Sequence, residues 1–244
     1  MRRALFALGW VLPAAAAAQI PEKFENLKFL PPGITRDSLL TVMRGFSFAL
    51  GVRCQYCHVG GDGVSFEGVE FHKDDDPDKR KARAMLDMVR HLNDEVLANL
   101  PDRDDPPLRV ECKTCHRGLA RPVLLKQELR LVLDRAGADS AVARYRDLRN
   151  RATLAGVFDF GEWETNTLAE DLSREGRRQD AIVIYRLNEE FYPESASIKG
   201  SLAQLYEAVG DTVQAINYYE KVLVLAPTFA PARRRLEALR PRGP

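Results

Sequence analysis

Cys54-Gln55-Tyr56-Cys57-His58 and its echo Cys112-Lys113-Thr114-Cys115-His116 use all four cysteines of this 244-residue chain. In an exported protein such a stretch reads as covalent haem attachment. Two thiols three residues apart each add to one vinyl group of the same haem, and the adjacent imidazole reaches the iron. The pair of stretches predicts two covalently bound haem c groups. Cys54, Cys57, Cys112 and Cys115 are the attachment points, and His58 and His116 are the proximal iron ligands.

Two other chemistries compete. A four-thiolate zinc site would combine both cysteine pairs, but zinc modules usually place the second pair within about twenty residues of the first. Here 54 residues lie between Cys57 and Cys112. Redox dithiols or local disulfides would need the cysteines alone. Neither chemistry requires a histidine directly after each second cysteine, and that coincidence occurs twice.

Outward from the first stretch, the chain begins with Arg2 and Arg3, an apolar run from Ala4 to Leu12, Pro13 and an alanine tract to Ala18. This is the order of a signal peptide spanning residues 1–18, with cleavage expected between Ala18 and Gln19. Pro13 interrupts the run, which falls short of the ~20 apolar residues that span a bilayer. No cysteine near the cut offers a lipid attachment point. The mature chain of about 225 residues is expected to be periplasmic or otherwise exported, without a transmembrane segment, and long enough for two modest domains. Its formal charge of +1 becomes −1 without Arg2 and Arg3, so no strong field points to nucleic acid or an anionic membrane.

Residues 19–122 are expected to form the haem domain. An irregular lead-in carries Phe24, Leu27, Phe29 and Leu30. Thr35 or Asp37 can cap a first helix that Gly51 ends in a left-handed position. Leu39, Met43, Phe46 and Leu50 share one face of it, so Met43 points inward ahead of Cys54. A thioether opposite the imidazole would complete six-coordinate iron. A gap-filling core methionine has the same spacing, so spacing leaves both readings of Met43 open.

Asn26-Leu27-Lys28-Phe29-Leu30-Pro31, Met43-Arg44-Gly45-Phe46 and Ala49-Leu50-Gly51-Val52-Arg53-Cys54-Gln55-Tyr56-Cys57-His58 together resemble the photosynthetic reaction centre cytochrome c subunit family and its smaller relatives. The likeness continues through Ala82-Arg83-Ala84-Met85-Leu86-Asp87-Met88 to Cys112-Lys113-Thr114-Cys115-His116-Arg117-Gly118. The resemblance implies that a helical methionine ahead of each attachment stretch is the sixth iron ligand. Met43 holds that position for the first haem. Full subunits of that family carry four such stretches; this chain has two.

Between the stretches, Gly60 to His72 holds four glycines, and Lys73 to Lys81 is a dense charge run of the kind that usually makes a solvated face. Asp76-Pro77 supplies a cap and a first-turn proline for a helix to about Asn99. Its apolar stripe is Ala82, Met85, Leu86, Val89, Leu92, Val96 and Leu100. At 100° per residue, Met85 lies about 40° from the stripe centre, Met88 about 100° and His91 about 160°. Met85 is thus expected to face in and His91 to face out. The resemblance independently favours the first methionine of the pair, which makes Met85 the distal ligand of the second haem. His72, in an acidic loop, is set aside as a ligand. Arg109, Arg117 and Arg121 flank the second stretch and are candidate partners for haem propionates.

From residue 123 to 244 there is no cysteine, histidine or methionine. Leu168, Ala169, Gly176, Ala181, Tyr185 and Pro193 recur 34 residues later as Leu202, Ala203, Gly210, Ala215, Tyr219 and Pro227. This pattern resembles tetratricopeptide repeats, in which small residues let paired helices approach and proline closes the second. A degenerate copy is expected at about 123–161, with an insertion around Gly156 to Gly161. Full copies follow at about 162–195 and 196–229, with a capping helix at 230–240. Such an array offers a partner-binding surface, or it shields the haem domain.

The expected fold is mainly α, a helical dihaem c-type cytochrome domain followed by a tetratricopeptide-like solenoid. The expected role is an electron carrier and not an enzyme, because His58 with Met43 and His116 with Met85 fill both axial positions of each iron. Its redox partner would be a small cytochrome, a membrane electron-transfer complex or a reaction centre. A dihaem peroxidase with one open iron, or an assembly scaffold with structural haems, are the alternatives.

Overall fold

The computed structural model describes residues 23–151 and 156–240, so the expected signal peptide at 1–18 lies outside the described residues. The protein is mainly helical and divides into two compact units that meet in sequence at Ala120 and Arg121.

In the first unit, helix α1 (Arg36–Leu50) starts where Thr35 accepts a hydrogen bond from the Ser38 backbone N–H at 3.3 Å. It ends on Gly51 at φ 66°. Glycine is required there twice over. A left-handed residue with a Cβ is disfavoured, and a Cβ at this position would lie 2.0 Å from the carbonyl oxygen of Gly118. The close approach lets the Gly118 N–H donate to Ala49 O at 2.9 Å, and α1 packs directly on α3 (Cys112–His116). The end of α1, just ahead of the first cysteine stretch, is therefore fastened to the residue that follows the second.

Helix α2 (Pro77–His91) begins as expected, with the Asp76 carboxylate accepting from Asp78 N–H at 2.7 Å and Pro77 in the first turn. It does not run to Asn99 as an α-helix. After His91 the backbone widens into a π turn over Leu92–Val96 and tightens into a 3-10 turn over Leu97–Asn99. A π turn inserts a residue and rotates everything beyond it, so the apolar stripe does not continue in register past His91. Within that turn Asn93 donates to Val110 O and accepts from Val110 N–H, both at 2.8 Å. One amide thus anchors the strand-like approach to the second cysteine stretch.

The second unit is built of helices α4 (Leu125–Ala136), α5 (Ala138–Asn150), α6 (Glu162–Arg174), α7 (Arg178–Phe191), α8 (Ala196–Ala208), α9 (Thr212–Leu225) and α10 (Ala230–Leu239). The helices α4 with α5, α6 with α7 and α8 with α9 form packed pairs, each pair meets the next, and α10 covers α9. The recurring small residues sit where helices touch: Ala141, Ala169, Ala181, Ala203 and Ala215 are all 0 % exposed. Tyr145, Tyr185 and Tyr219 are buried at equivalent places, and Gly176 and Gly210 both carry the positive φ of the turn inside a pair. Before α6, Val157 and Phe158 tuck into the core, and Phe160 meets the Tyr145 ring edge-on at 5.5 Å. The Arg149 guanidinium lies 4.3 Å from the centre of the Phe191 ring, beside those aromatics.

Candidate functional site

Cys54 opens a single 3-10 turn, Cys54–Tyr56, in which the backbone N–H groups of Cys57 and His58 both donate to Cys54 O. Closing the turn on one carbonyl puts both thiols and the imidazole on the same side. The glycine-rich loop that follows folds back, with Gly60 bridged to Val69, Glu70 N–H donating to Val59 O at 2.8 Å and Gln55 Nε2 donating to Ser65 O at 3.0 Å. That return places Phe71 edge-on to the His58 ring at 5.0 Å, with Phe66 against Phe71.

Cys54, Cys57 and His58 line a cavity of about 730 Å³ together with Met43. The volume falls within the ~300–1,000 Å³ of typical ligand sites. Helix α1 contributes Leu39, Leu40, Phe46 and Leu50, and the irregular lead-in lays Phe24, Leu27, Phe29 and Leu30 on the same space. Helix α2 closes it with Lys79, Ala82, Arg83 and Leu86. A mainly apolar chamber with two thiols, an imidazole and a thioether on its walls has the donor set that a covalently attached haem needs. Arg44 and Arg53 stand exposed on its lining, where they would meet acidic groups of such a ligand.

Burial, first, and then the Lys79 ammonium lower the His58 pKa to about 4, so the ring is neutral and available as a ligand. Burial likewise pushes the Cys57 thiol up to about 11 and raises that of Cys112. Redox-active Cys-x-x-Cys pairs instead have lowered thiol pKa values, so this environment does not favour the dithiol alternative. The zinc alternative finds no support either. Among the described residues no group of three or more His, Cys, Asp or Glu side chains gathers around a common point.

The charge run Lys73–Lys81 is solvated at Asp75, Arg80 and Lys81, as its composition suggested, but not at Lys79. Lys79 is 8 % exposed, with Nζ donating to Phe71 O at 2.8 Å and to Lys73 O, and pairing with the Asp74 carboxylate at 3.2 Å. Asp74 also takes Asn26 Nδ2 at 2.9 Å, Lys28 Nζ at 3.0 Å and the Arg83 guanidinium. A buried lysine survives when every donor is matched, and this one fastens the loop that carries Phe71. No composition signal distinguishes it from its solvated neighbours. His72, set aside in the sequence, does line the cavity, while its carbonyl accepts from Asn26.

The second stretch is a five-residue helix, α3, started by Glu111, whose N–H donates to Thr114 Oγ1 at 3.0 Å. His116 Nδ1 donates to Leu119 O at 2.8 Å, which fixes the tautomer and leaves Nε2 free. Cys115 is exposed and Cys112 half-buried. Met85 does not face a protein core: it is 44 % exposed and Met88 43 %, so burial does not separate them. The reason lies in α2, which turns Lys79, Ala82, Arg83 and Leu86 towards the first cavity. Met85 falls about 110° around the helix from that arc, on a flank of its own. His91 does face out, its Nδ1 3.1 Å from Glu95 Oε2.

Residues 34–132 match the family described as photosynthetic reaction centre cytochrome C subunit. Over 85 residues the chain is 39 % identical to cytochrome c-554 of Chloroflexus aurantiacus, covering 34 % of this chain and 18 % of that protein. The chain thus spans less than a fifth of that relative's length. The resemblance carried by Met43-Arg44-Gly45-Phe46 and the two cysteine stretches is borne out as a match over residues 34–132.

Proposed function

We propose that this c-type cytochrome is an exported dihaem carrier of single electrons between protein partners, with its second unit a tetratricopeptide-like docking module. The observation that carries the proposal is the cavity in which Met43, Cys54, Cys57 and His58 converge. Cys54 and Cys57 would hold the first haem covalently, with His58 and Met43 on its iron. Cys112, Cys115, His116 and Met85 would do the same for the second. When bound, each group supplies a one-electron couple that needs no proton transfer and no bond change.

The chain's own part is to fix geometry and exclude water. Closure of the 3-10 turn on Cys54 O aims the first thiols and imidazole. Asn93 and Gly51 set the position of the second stretch. The apolar lead-in shields the first site, and Arg44 and Arg53 are placed to neutralise the carboxylates of a haem edge. No helix among the described residues is long and apolar enough to cross a membrane. That agrees with a carrier that reaches its partners by diffusion or docking after removal of residues 1–18.

Intact mass of the purified protein tests this directly. A mass exceeding the polypeptide by two haem units, with colour that acid acetone does not extract, is expected. A colourless zinc protein, or one haem, would refute the dihaem assignment.

A further inference from the structure

The second cysteine stretch is mounted at both ends on helices that wall the first cavity. Ahead of it, Val110 is clasped by Asn93 just beyond α2, whose side-chain amide donates to Val110 O and accepts from Val110 N–H, both at 2.8 Å. Behind it, Gly118 N–H donates to Ala49 O of α1 at 2.9 Å, in the close approach that Gly51 allows. Helix α3 lies between the two fastenings and packs on α1. Residues 110–118 therefore run from the C-terminal end of α2 to the C-terminal end of α1. Both helices line the first cavity, α1 with Leu39, Met43 and Leu50 and α2 with Lys79, Ala82 and Leu86. The two candidate axial donors of that cavity are held from different walls. Met43 belongs to α1. The His58 ring rests on Phe71 at 5.0 Å, and Phe71 O accepts from Lys79 Nζ of α2 at 2.8 Å.

We propose that residues 110–118 are a crossbeam that sets the width of the first site, with Asn93 and Gly118 as positioning residues for the pairing of Met43 with His58. This rests on the dihaem reading above and deepens it, because the second attachment stretch then serves the first site as well as its own. The fastenings are stiff. A side-chain amide that donates to and accepts from one residue makes two directional bonds, so Asn93 fixes both the separation and the rotation of Val110 against α2. The Gly118 bond joins backbone to backbone, and the approach has no slack, since a Cβ on Gly51 would lie 2.0 Å from Gly118 O. The lead-in ahead of α1 supplies the remaining tie to α2, where Asn26 and Lys28 meet Asp74 and Arg83 donates to Asn26 O. At their C-terminal ends α1 and α2 cannot part without breaking the bonds at Val110 or Gly118. Neither Asn93 nor Gly118 lines the first cavity, so an effect of either on Met43 is carried by the frame.

The test is proton NMR and carbon monoxide binding of the full holoprotein, with haem content fixed by intact mass. Loss of one iron-shifted thioether methyl resonance in Met43→Ala identifies the signal of the first site. Asn93→Ala removes both bonds to Val110, and Gly118→Ala puts a Cβ on a residue at φ 95° that carries the bond to Ala49. Each should shift or broaden the Met43 signal and raise carbon monoxide binding at the first site roughly tenfold, the factor that one or two net hydrogen bonds supply. An unchanged Met43 signal and binding rate in either variant would overturn the proposal. Should the variants fail to load two haems, amide hydrogen exchange of the wild type decides. The amides of Val110, Gly118 and the last turn of α1 should exchange through one common opening, and faster, independent exchange at Val110 and Gly118 overturns the crossbeam. Fewer than two haems in the wild type, or spectra indifferent to Met43→Ala, would defeat the dihaem reading and this with it. Two haems with a Met43 signal that neither variant moves would defeat the crossbeam alone.

Discussion

Asp74 is the residue on which the first site's wall depends, because Asn26 and Lys28 of the lead-in and Lys79 and Arg83 of α2 all converge on its carboxylate. The Arg83 guanidinium, foremost among these, holds that carboxyl well below the usual carboxylate range. A carboxyl with a depressed folded pKa stabilises the fold above its unfolded value of about 3.9 and loses that contribution as pH falls towards the folded value. Denaturant unfolding of the holoprotein should therefore weaken below about pH 4. Asp74→Asn should be less stable at neutral pH and show a shallower acid slope; identical slopes would contradict the sign. At the proposed iron ligands, Met43→Ala and Met85→Ala should each abolish the sulfur-to-iron absorption of one haem and open it to carbon monoxide. Met88→Ala should leave both bands intact and cost less than about 2 kcal/mol, since its side chain is half exposed. Loss of a band in Met88→Ala would reassign the ligand.

Among the elements, the junction of α1 and α3 is the least tolerant. Gly51→Ala must hold a Cβ residue at φ 66° against the Gly118 carbonyl. The left-handed conformation alone costs about 1–2 kcal/mol, and the clash forces α3 away from α1. Lower melting temperature and reduced haem incorporation at the second stretch are the expected readouts, and wild-type values for both would show that the approach is not structural. In the second unit the helix pairs close on alanine. Ala181→Leu puts three more carbons where the side chain is 0 % exposed, an overpacking worth roughly 1–3 kcal/mol. Thermal melting should fall accordingly, without any change in haem spectrum.

For the whole molecule, the division at Ala120 and Arg121 carries its own prediction. The second unit has a continuous core from Leu125 to Leu236, its pairs bury one another, Arg235 of α10 pairs with Glu207, and Arg240 just beyond α10 pairs with Glu220. Arrays of at least three stacked pairs with a polar terminal cap are self-supporting. A fragment from Arg121 to Pro244 should accordingly be soluble, helical by circular dichroism and cooperative in melting. A disordered fragment would mean that the array depends on the haem-bearing half for its core.

The sequence by itself determined the class of fold and the local patterns from which the candidate site is built. Both cysteine stretches, the Met43 face of α1, the Asp76-Pro77 start of α2 and the recurrence of alanine, glycine and tyrosine in the second half were legible because each is a local pattern. A helix period, a cap or a repeated spacing needs no partner distant in the chain to be read. Only the tertiary structure decided how these patterns meet. Lys79 looks like any solvated lysine until the Phe71 loop folds over it, Gly51 gains its second role only when Gly118 arrives, and Met85 stands on a flank of α2 apart from the arc that lines the first cavity. The π turn after His91 was equally hidden, since it is fixed by the Asn93 bridge to Val110, residues 17 apart. Periodicity reports which side of an element is apolar, and the contacts that give each side its partner exist only once the chain has folded.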